Sequence, residues 1–594
     1  MTTLVIVESP AKGKKIESYL GSKYKVMATK GHIADLAKGG PYNLGVDIDN
    51  GFKPRYQLLD DKVQLVNELF EAASESDEIL IASDPDREGE AIAWHVASKL
   101  AKTGKDIKRV EFHEITKNGI AEGIKKSRDL DLKLFRSQEA RRVLDRIVGF
   151  MASPFLMNFF GSNLSAGRVQ SVVTKMIIDR EQEIEAFVPE TFYVLKANLT
   201  KDGKTSFQAK LDERITDEQL AQDTKALLIG DRGKNNAQYV VTEVLADEEL
   251  KKPNAPMITS QLQKVMSKSF GMNPDATMKA AQSLYENGHV TYIRTDSVRA
   301  DPDAVKTLRD FLKAEGFALP KTANVYKTKD TAQDAHECIR PTDLSLKPST
   351  SGFTGDEEKV YEVIWKYFVA SQMLPAVYNT LKVTIELKSG NKCVLKASGK
   401  ALKSQGFLEI MGVTDDSKIE IPDLSVGDIL TLHGKNPVSL EKKATQPPPR
   451  FSNFSLIEVL EKKNIGRPAT FADVLSKITN RNYVEMEGTT YRPTPLGRQT
   501  TEALAKFFSF MEYNYSAQLE EKLDDIKAGK LNYLDMLHEF FTPFKTELDK
   551  AYIHNGSEVC ELCHSPMKVR MTKNEEKFLG CSNYPTCRFT KDIK

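Results

Sequence analysis

The sequence predicts a multidomain protein of mixed α/β and α+β class. Three observations carry that expectation. The chain has 594 residues, well past the size at which one hydrophobic core stops growing. Its apolar pattern changes period, from strand and helix in alternation, to a helical stretch, to period-two alternation and back. Four of its six cysteines crowd into the last 35 residues, apart from everything else.

Each part can be justified in order. The opening residues meet Glu8 after the apolar run 4–7, which reads as a buried strand and not as a secretory signal. Residues 79–82 read as a second strand and 90–100 as a helix, the look of a parallel α/β sheet. From 136 to 184 the pattern is helical and arginine-rich, with Arg142 and Arg146 four apart on one face. Its most apolar run, 148–160, contains Gly149, Pro154 and Asn158 and falls short of the roughly 20 residues that span a bilayer. No membrane partner and a cytoplasmic location are expected.

Residues 192–199 and 207–211, and much later 380–387 and 392–397, alternate as half-buried antiparallel strands do. These two blocks could form one β-rich unit, left and re-entered around a mainly helical segment at 253–374. After a proline-rich hinge at 445–449, two helix patterns (455–462 and 471–478) precede a hairpin turning at Glu487-Gly488. That order is winged-helix-like, common where DNA is held.

Charge and composition narrow the function. Charged residues make up 28% and the hydrophobic set 40%, ordinary globular usage that excludes global disorder. With 84 Lys plus Arg against 83 Asp plus Glu, the whole molecule has no net pull on a polyanion, so nucleic-acid affinity requires segregated charge.

Asp84, Asp86 and Glu88 lie two apart between a strand and a helix, at the carboxyl edge where α/β sites lie. In an extended loop they could project to one side, where hard oxygen ligands suit Mg²⁺. Glu8 reaches the same edge if the two strands are neighbours. Two such acids would usually only complement a helix dipole; three around an arginine, with a fourth ending the first strand, point to a metal or catalytic site.

Asn273-Pro274-Asp275 starts a helix that Asn287-Gly288 stops. Residues 289–297 are extended in type, so Tyr292 and Arg294 share a side. A phenol attacking a phosphodiester stores the bond in a new ester, so a strand could be cut and rejoined without ATP, and Arg294 would stabilise the phosphate charge. A lone strand tyrosine is otherwise a packing residue. Cys560, Cys563, Cys581 and Cys587 supply two thiolate pairs suited to a tetrahedral structural Zn²⁺. Arg570, Lys577, Arg588, Phe578 and Tyr584 stand around them, suited to phosphates and unpaired bases or, for some of the rings, to the ribbon's own core.

Glu8 together with DPDREGE at 84–90 closely resembles the Toprim module of topoisomerases, bacterial primases and some nucleases, which share Mg²⁺-dependent phosphoryl transfer. GHVTYIRTDS around Tyr292 resembles the active-site segment of type IA topoisomerases. VESPAKGKKI (7–16), KGHIADL (30–36), SAGRVQS (165–171), QDAHECIRPTD (333–343) and IGRPATFADVLSKI (465–478) follow the family's order. The VESPAK opening is most similar to the bacterial topoisomerase I branch.

The resemblance implies a toroid: a Toprim domain at 1–140, a helical DNA-binding domain at 141–189 and 441–550, a β-rich arch at 190–252 and 376–440, a helical tyrosine domain at 253–375 and a zinc ribbon at 556–594. It implies Tyr292 as nucleophile with Arg294, Lys12 at the ribose oxygen and Glu8 in acid–base work. Glu8, Asp84, Asp86 and Glu88 would hold Mg²⁺, and His336, paired with Asp84, would reach the scissile region. His32, Arg136, Arg168, Gln170 and Arg467 would bind DNA. The partners implied are single-stranded and negatively supercoiled DNA, for a nucleoid-associated monomer. Cys338 stands where the family more often has an inert residue, either as a small hydrophobe or as an oxidation-sensitive thiol. Two rivals remain at this point, a Toprim nuclease or primase that needs no tyrosine, and a non-enzymatic DNA-binding relative.

Overall fold

In the computed structural model, residues 2–160, 164–230, 234–327, 336–388, 393–563, 565–572, 577–584 and 587–593 are described. Residues 333–335 of the QDAHECIRPTD string and Lys392 of the expected strand lie outside them.

The N-terminal unit is built on four parallel strands in the spatial order Tyr24–Ala28, Thr3–Val7, Glu78–Ala82, Asp106–Arg109. Thr3–Val7 is wholly buried and pairs with both neighbours, Val7 lying opposite Ala28 and Ala82. Glu8 and the 83–86 loop therefore leave the sheet at one level, as the expectation of neighbouring strands required. Period-two alternation gives this sheet two cores. Leu4, Ile6, Ile79 and Ile81 pack on Leu69, Ile92 and Val96 of the unit's own helices. Val5, Val7, Leu80 and Ala82 face the other way, into a core shared with Leu284, Tyr285 and Tyr292. The shared core seats the tyrosine unit on the sheet beside its acidic edge.

The helical unit is organised around Leu132–Phe160, 29 residues long and, by length and composition, able to cross a membrane. The expectation of too short an apolar stretch is thus corrected: the helix continues N-terminally through Leu144 and Ile147. It is a core helix, because Leu144, Ile147, Met151 and Phe155 are fully buried against Leu523, Phe540, Phe544 and Tyr552. The winged-helix order is present as helices Asn453–Lys462 and Pro468–Asn480 and a hairpin pairing Val484–Glu487 with Thr490–Pro493.

The two separated β blocks do join. Thr191–Thr200, Ser206–Leu211, Gln238–Lys251, Ala376–Leu387, Val394–Ser404, Ile429–Leu432 and Val438–Ala444 form one antiparallel sheet. Thr191–Thr200 also pairs with Ser206–Leu211, which closes six of the strands into a barrel around Leu195, Tyr239, Ile385 and Leu430. The last strand, Val438–Ala444, crosses the expected boundary at 440. Gln238–Lys251 and Ala376–Leu387 stay paired from Tyr239–Leu387 to Lys251–Ala376. This long ribbon carries the chain to the tyrosine unit and back. The unit's helices, Thr259–Phe270, Pro274–Glu286, Pro302–Ala314 and Gly355–Ser371, meet the N-terminal sheet on one side. On the other, Lys264 pairs with Glu461 of the helical unit at 2.9 Å. The units thus close a ring of contacts.

Candidate active site

Asp84 and Asp86 sit on a tight turn fixed from three directions. The Asp84 N–H donates to Glu8 Oε2 at 3.3 Å, and Lys12 Nζ donates to Asp84 Oδ1 at 3.0 Å in a buried pair. Asp86 caps the helix Arg87–Leu100 by accepting from the Gly89 N–H at 2.8 Å. Beneath the turn lies Arg109, fully buried, whose guanidinium donates to the carbonyls of Ser83 (3.0 Å) and Asp84 (2.6 Å) and pairs with Glu90 (3.1 Å). Nothing in the sequence singled out Arg109: a lone arginine ending a strand carries no motif.

Tyr292 arrives from the other unit. Its phenol donates to Asp86 Oδ2 at 2.6 Å, and Arg294 Nη1 pairs with the same oxygen at 3.3 Å. The shared side expected of Tyr292 and Arg294 is what brings both to Asp86. The backbone around Tyr292 is pinned to the N-terminal unit, since its N–H donates to the His113 carbonyl at 2.8 Å and Tyr285 donates to the Phe112 carbonyl at 2.7 Å. Gly288, at φ +78°, lies so close to Ile115 that a Cβ would stand 2.3 Å from its carbonyl oxygen. The Asn287-Gly288 stop is a close approach between the units as well as a helix end.

Two expectations need correction. Asp84 is bonded to Lys12 and Glu8, and His336 does not pair with it. The His336 ring instead lies 5.7 Å from Tyr292 and 5.5 Å from His113, and its Nδ1 has no hydrogen-bond partner among the described residues. Burial, aided by His113, pushes it down to about 4, so it is a neutral ring beside the phenol. Glu88 is not on an extended loop with the other acids; it lies in the first helical turn and faces His32 (3.3 Å) and Gln138 (3.2 Å).

The electrostatics describe an acid cluster short of positive charge. Burial, with Asp84 and Asp86 nearby, pushes Glu8 up to about 7. Burial would raise Asp86 too, but Arg294 and the Tyr292 hydroxyl outweigh it and hold the carboxyl below its ordinary range. Burial and then Asp86 push the Tyr292 phenol well above 10, so it is neutral here. Among the described residues the four C-terminal cysteines are the one group of three or more such side chains whose ligand atoms all lie within 4.8 Å of one another. The acids are hard oxygen donors, which fit Mg²⁺, an ion that keeps several waters and shares phosphate oxygens.

Beside this centre a cavity of about 590 Å³ is lined by His32, Glu88, Gln138, Arg141, Arg168 and Gln170, together with other polar groups. A second, of about 290 Å³, connects Asp86, Arg87, Arg294 and Arg467. Three expected DNA-binding residues, His32, Arg168 and Gln170, thus share one cavity wall. Arg168 is fully buried and pairs with Glu520 (2.8 Å) and Asp145 (3.1 Å), leaving Nη2 without a hydrogen-bond partner among the described residues. Arg136 lies outside both cavities, paired with Glu139 and stacked 4.9 Å from the Tyr533 ring. The sequence reading missed Glu520 and Asp524, whose spacing on one helix had no arginines beside it in sequence to mark it. Cys338 is fully buried and burial pushes its thiol up, so it is the small hydrophobe and not the reactive thiol.

At the C-terminus Cys560 and Cys587 Sγ lie 3.7 Å apart and Cys563 and Cys581 Sγ 3.4 Å, a four-thiol cluster matched to Zn²⁺. The ribbon docks where the N-terminal and helical units meet: Tyr42 donates to the Ser582 carbonyl at 2.6 Å, and Lys568 lies over the rings of Tyr42 (4.7 Å) and Tyr552 (4.3 Å).

Comparison with known proteins agrees with this geometry. Residues 3–115 match the Toprim domain, 129–538 the DNA topoisomerase family and 557–594 the topoisomerase DNA-binding C4 zinc finger. DNA topoisomerase 1 of Vibrio cholerae is 37% identical over 98% of this chain and 72% of its own length, and that of Pseudomonas aeruginosa gives the same figures. The Campylobacter jejuni enzyme is 36% identical over 100% of this chain and 86% of its own. The full-length topoisomerase I structure from Thermotoga maritima superposes with a TM-score of 0.81 at 31% identity, covering 100% of this chain and 97% of that one. With an acid-cradled tyrosine, a Toprim sheet and a four-cysteine ribbon in one ring of domains, the chain belongs to the type IA DNA topoisomerases, in the bacterial topoisomerase I branch.

Proposed function

We propose that this chain relaxes negatively supercoiled DNA by cutting one strand through Tyr292, passing a strand through the break and rejoining it. The observation that supports this most directly is the bond from the Tyr292 hydroxyl to Asp86 across two separately folded units. The nucleophile and the acids come from chain segments 206 residues apart, yet meet within hydrogen-bond distance. In the forward step the Tyr292 Oη–P bond forms and the P–O3′ bond breaks, leaving a 5′-phosphotyrosyl link. Asp86 is placed to accept the phenolic proton, and Lys12 or Glu8 to supply one to the departing 3′ oxygen. Arg294 would balance charge on the phosphate. The reverse step uses the same groups, so no ATP is needed.

Glu8, Asp84 and Asp86 would hold Mg²⁺, with Glu88 reaching the site through rearrangement of its His32 contact. When bound, that ion supplies positive charge for the phosphate oxygens and relieves the crowding of the acids. His336, as a neutral ring, would donate or accept one hydrogen bond near the scissile phosphate. His32, Arg168, Gln170 and Arg467 would line the single-stranded DNA path, with Arg136 at its margin. We assign the Toprim domain to 1–140, the helical domain to 141–189 and 441–550, the arch to 190–252 and 376–440, the tyrosine domain to 253–375 and the ribbon to 556–594. Because one chain holds every group named, we propose a monomer acting in the cytoplasm at the nucleoid.

Incubating Tyr292→Phe with labelled single-stranded DNA tests the reading. Wild type should give a covalent DNA adduct and relax a plasmid with Mg²⁺ and no ATP, while the variant gives neither. Cutting by the Phe variant would favour a Toprim nuclease.

A further inference from the structure

On the buried side of the catalytic turn, one carboxylate occupies a position that suits a phosphate. Asp524, on the helix Tyr513–Lys527, accepts from Arg87 Nη2 at 3.1 Å through Oδ1 and from Arg467 Nη2 at 2.6 Å through Oδ2. The two guanidinium groups come from different units, Arg87 from the first turn of the helix after the acid loop and Arg467 from the N-cap of Pro468–Asn480. Both line the 290 Å³ cavity that also contains Asp86 and Arg294, the partners of Tyr292. A two-arginine fork receiving the two oxygens of one acid is the geometry in which arginine binds a phosphodiester.

A structural ion pair alone would satisfy these donors, and here it does not. The Arg87 side chain is nine-tenths buried, yet its Nη1 has no hydrogen-bond partner among the described residues. A buried unpaired donor on a cation is costly, and an anion with more acceptor oxygens than a carboxylate would satisfy it. Asp524 is itself 37% exposed, so it is open to displacement. Glu520, one turn away and wholly buried, pairs with Arg168 and Arg141 and so holds the neighbouring arginines in place whether or not Asp524 stays bonded.

We propose that Asp524 is an internal stand-in for a DNA phosphate: it holds the Arg87–Arg467 clamp in register between strands and is displaced when a phosphate of the bound single strand enters. This rests on the DNA-cleaving reading of the site. Its consequence is a built-in competition, so that a strand must outbid a tethered carboxylate to engage the clamp next to the tyrosine.

The test is binding of labelled single-stranded oligonucleotide to the full chain across a salt series, for wild type, Asp524→Asn and Asp524→Ser. Freed of its competitor, the clamp should bind three- to tenfold tighter at low salt in both variants. The slope of log K against log salt should stay close to that of wild type, since the same phosphate enters the clamp in all three proteins. Tighter binding with a lowered melting temperature still supports the proposal, since the bridge also joins two units. Unchanged or weaker binding, with wild type binding normally, would overturn it and leave Asp524 a structural bridge. Failure of wild type itself to bind would instead refute the functional reading. The Ser variant guards against an Asn amide that keeps one of the arginine bonds.

Discussion

Glu520 is the residue on which the arginine side of the site depends. It is fully buried and faces Arg141, Arg168 and Arg467. Burial alone would raise its pKa, but these guanidinium groups and Arg87 outweigh it and hold the carboxyl far below the ordinary range. A carboxyl depressed in the folded state stabilises the fold above its unfolded pKa and loses that contribution as pH falls toward the folded one. Glu520→Gln should therefore lose about 3 kcal/mol at neutral pH, as removal of one partner from a buried pair does. The gap to wild type should narrow below about pH 4.5, the ordinary glutamate value. Urea melts at pH 7, 5 and 3.5 check this, and a gap that does not depend on pH would show that the carboxylate charge is not what stabilises. At this scale the sequence was legible where chemistry is packed into short strings: Glu8, Asp84, Asp86, Tyr292 and Arg294 all meet. Arg109, Glu520 and Asp524 were not legible, because their partners lie 19 to 437 residues away in the chain and no spacing marks them. The His336 partner was misread for the same reason, since a motif shows which residues matter before it shows which of them touch.

Among the elements, the zinc ribbon has the least apolar core, Cys560, Met567 and Cys581 being its buried cluster. Such a unit draws its folding energy from the metal. Its dock holds Tyr42 and Asn43 at φ of 55° and 58°, a left-handed backbone that non-glycine residues adopt at a cost of about 1 kcal/mol each. Chelation of zinc, or Cys560→Ser with Cys563→Ser, should unfold the region 557–594 and release the Tyr42–Ser582 bond. Amides at 39–45 should then exchange faster, while those of the strand Thr3–Val7 keep their protection. Protection at 39–45 that survives chelation would show the loop to be independent of the ribbon. The ribbon was readable from its cysteine spacing, and the strands of the N-terminal sheet from their apolar runs. The barrel was only half readable, since alternation identifies strands but not the closing pair between Thr191–Thr200 and Ser206–Leu211. The long core helix was under-read because its polar N-terminal half buries Ser137, Gln138, Glu139 and Arg141, which an apolar count leaves out.

For the molecule as a whole, the question is where the ring opens to admit a strand. The tyrosine unit is held at two seams of different physical character. Toward the N-terminal sheet it buries Val290, Tyr292 and Tyr285 in a shared apolar core, and Arg340 adds a 3.0 Å pair with Glu114. Toward the helical unit, Glu461 of the helix Asn453–Lys462 receives Lys264 at 2.9 Å and the Ser260 hydroxyl, both from the helix Thr259–Phe270. An apolar seam separates only by exposing its area to water, whereas charges at a largely buried ionic seam recover their hydration as they part, which offsets most of the lost attraction. The Glu461 seam should therefore yield first, with the long ribbon of Gln238–Lys251 and Ala376–Leu387 as the lever behind it. Glu461→Ala should raise hydrogen exchange across Thr259–Phe270 severalfold and make it insensitive to added salt, while wild-type exchange there rises with salt. Plasmid relaxation by this variant should be limited less by opening, so its rate should rise or hold while the yield of Tyr292 adduct stays unchanged. Equal exchange in wild type and variant at every salt concentration would place the weak seam elsewhere, and the Arg340–Glu114 side would become the site of first opening.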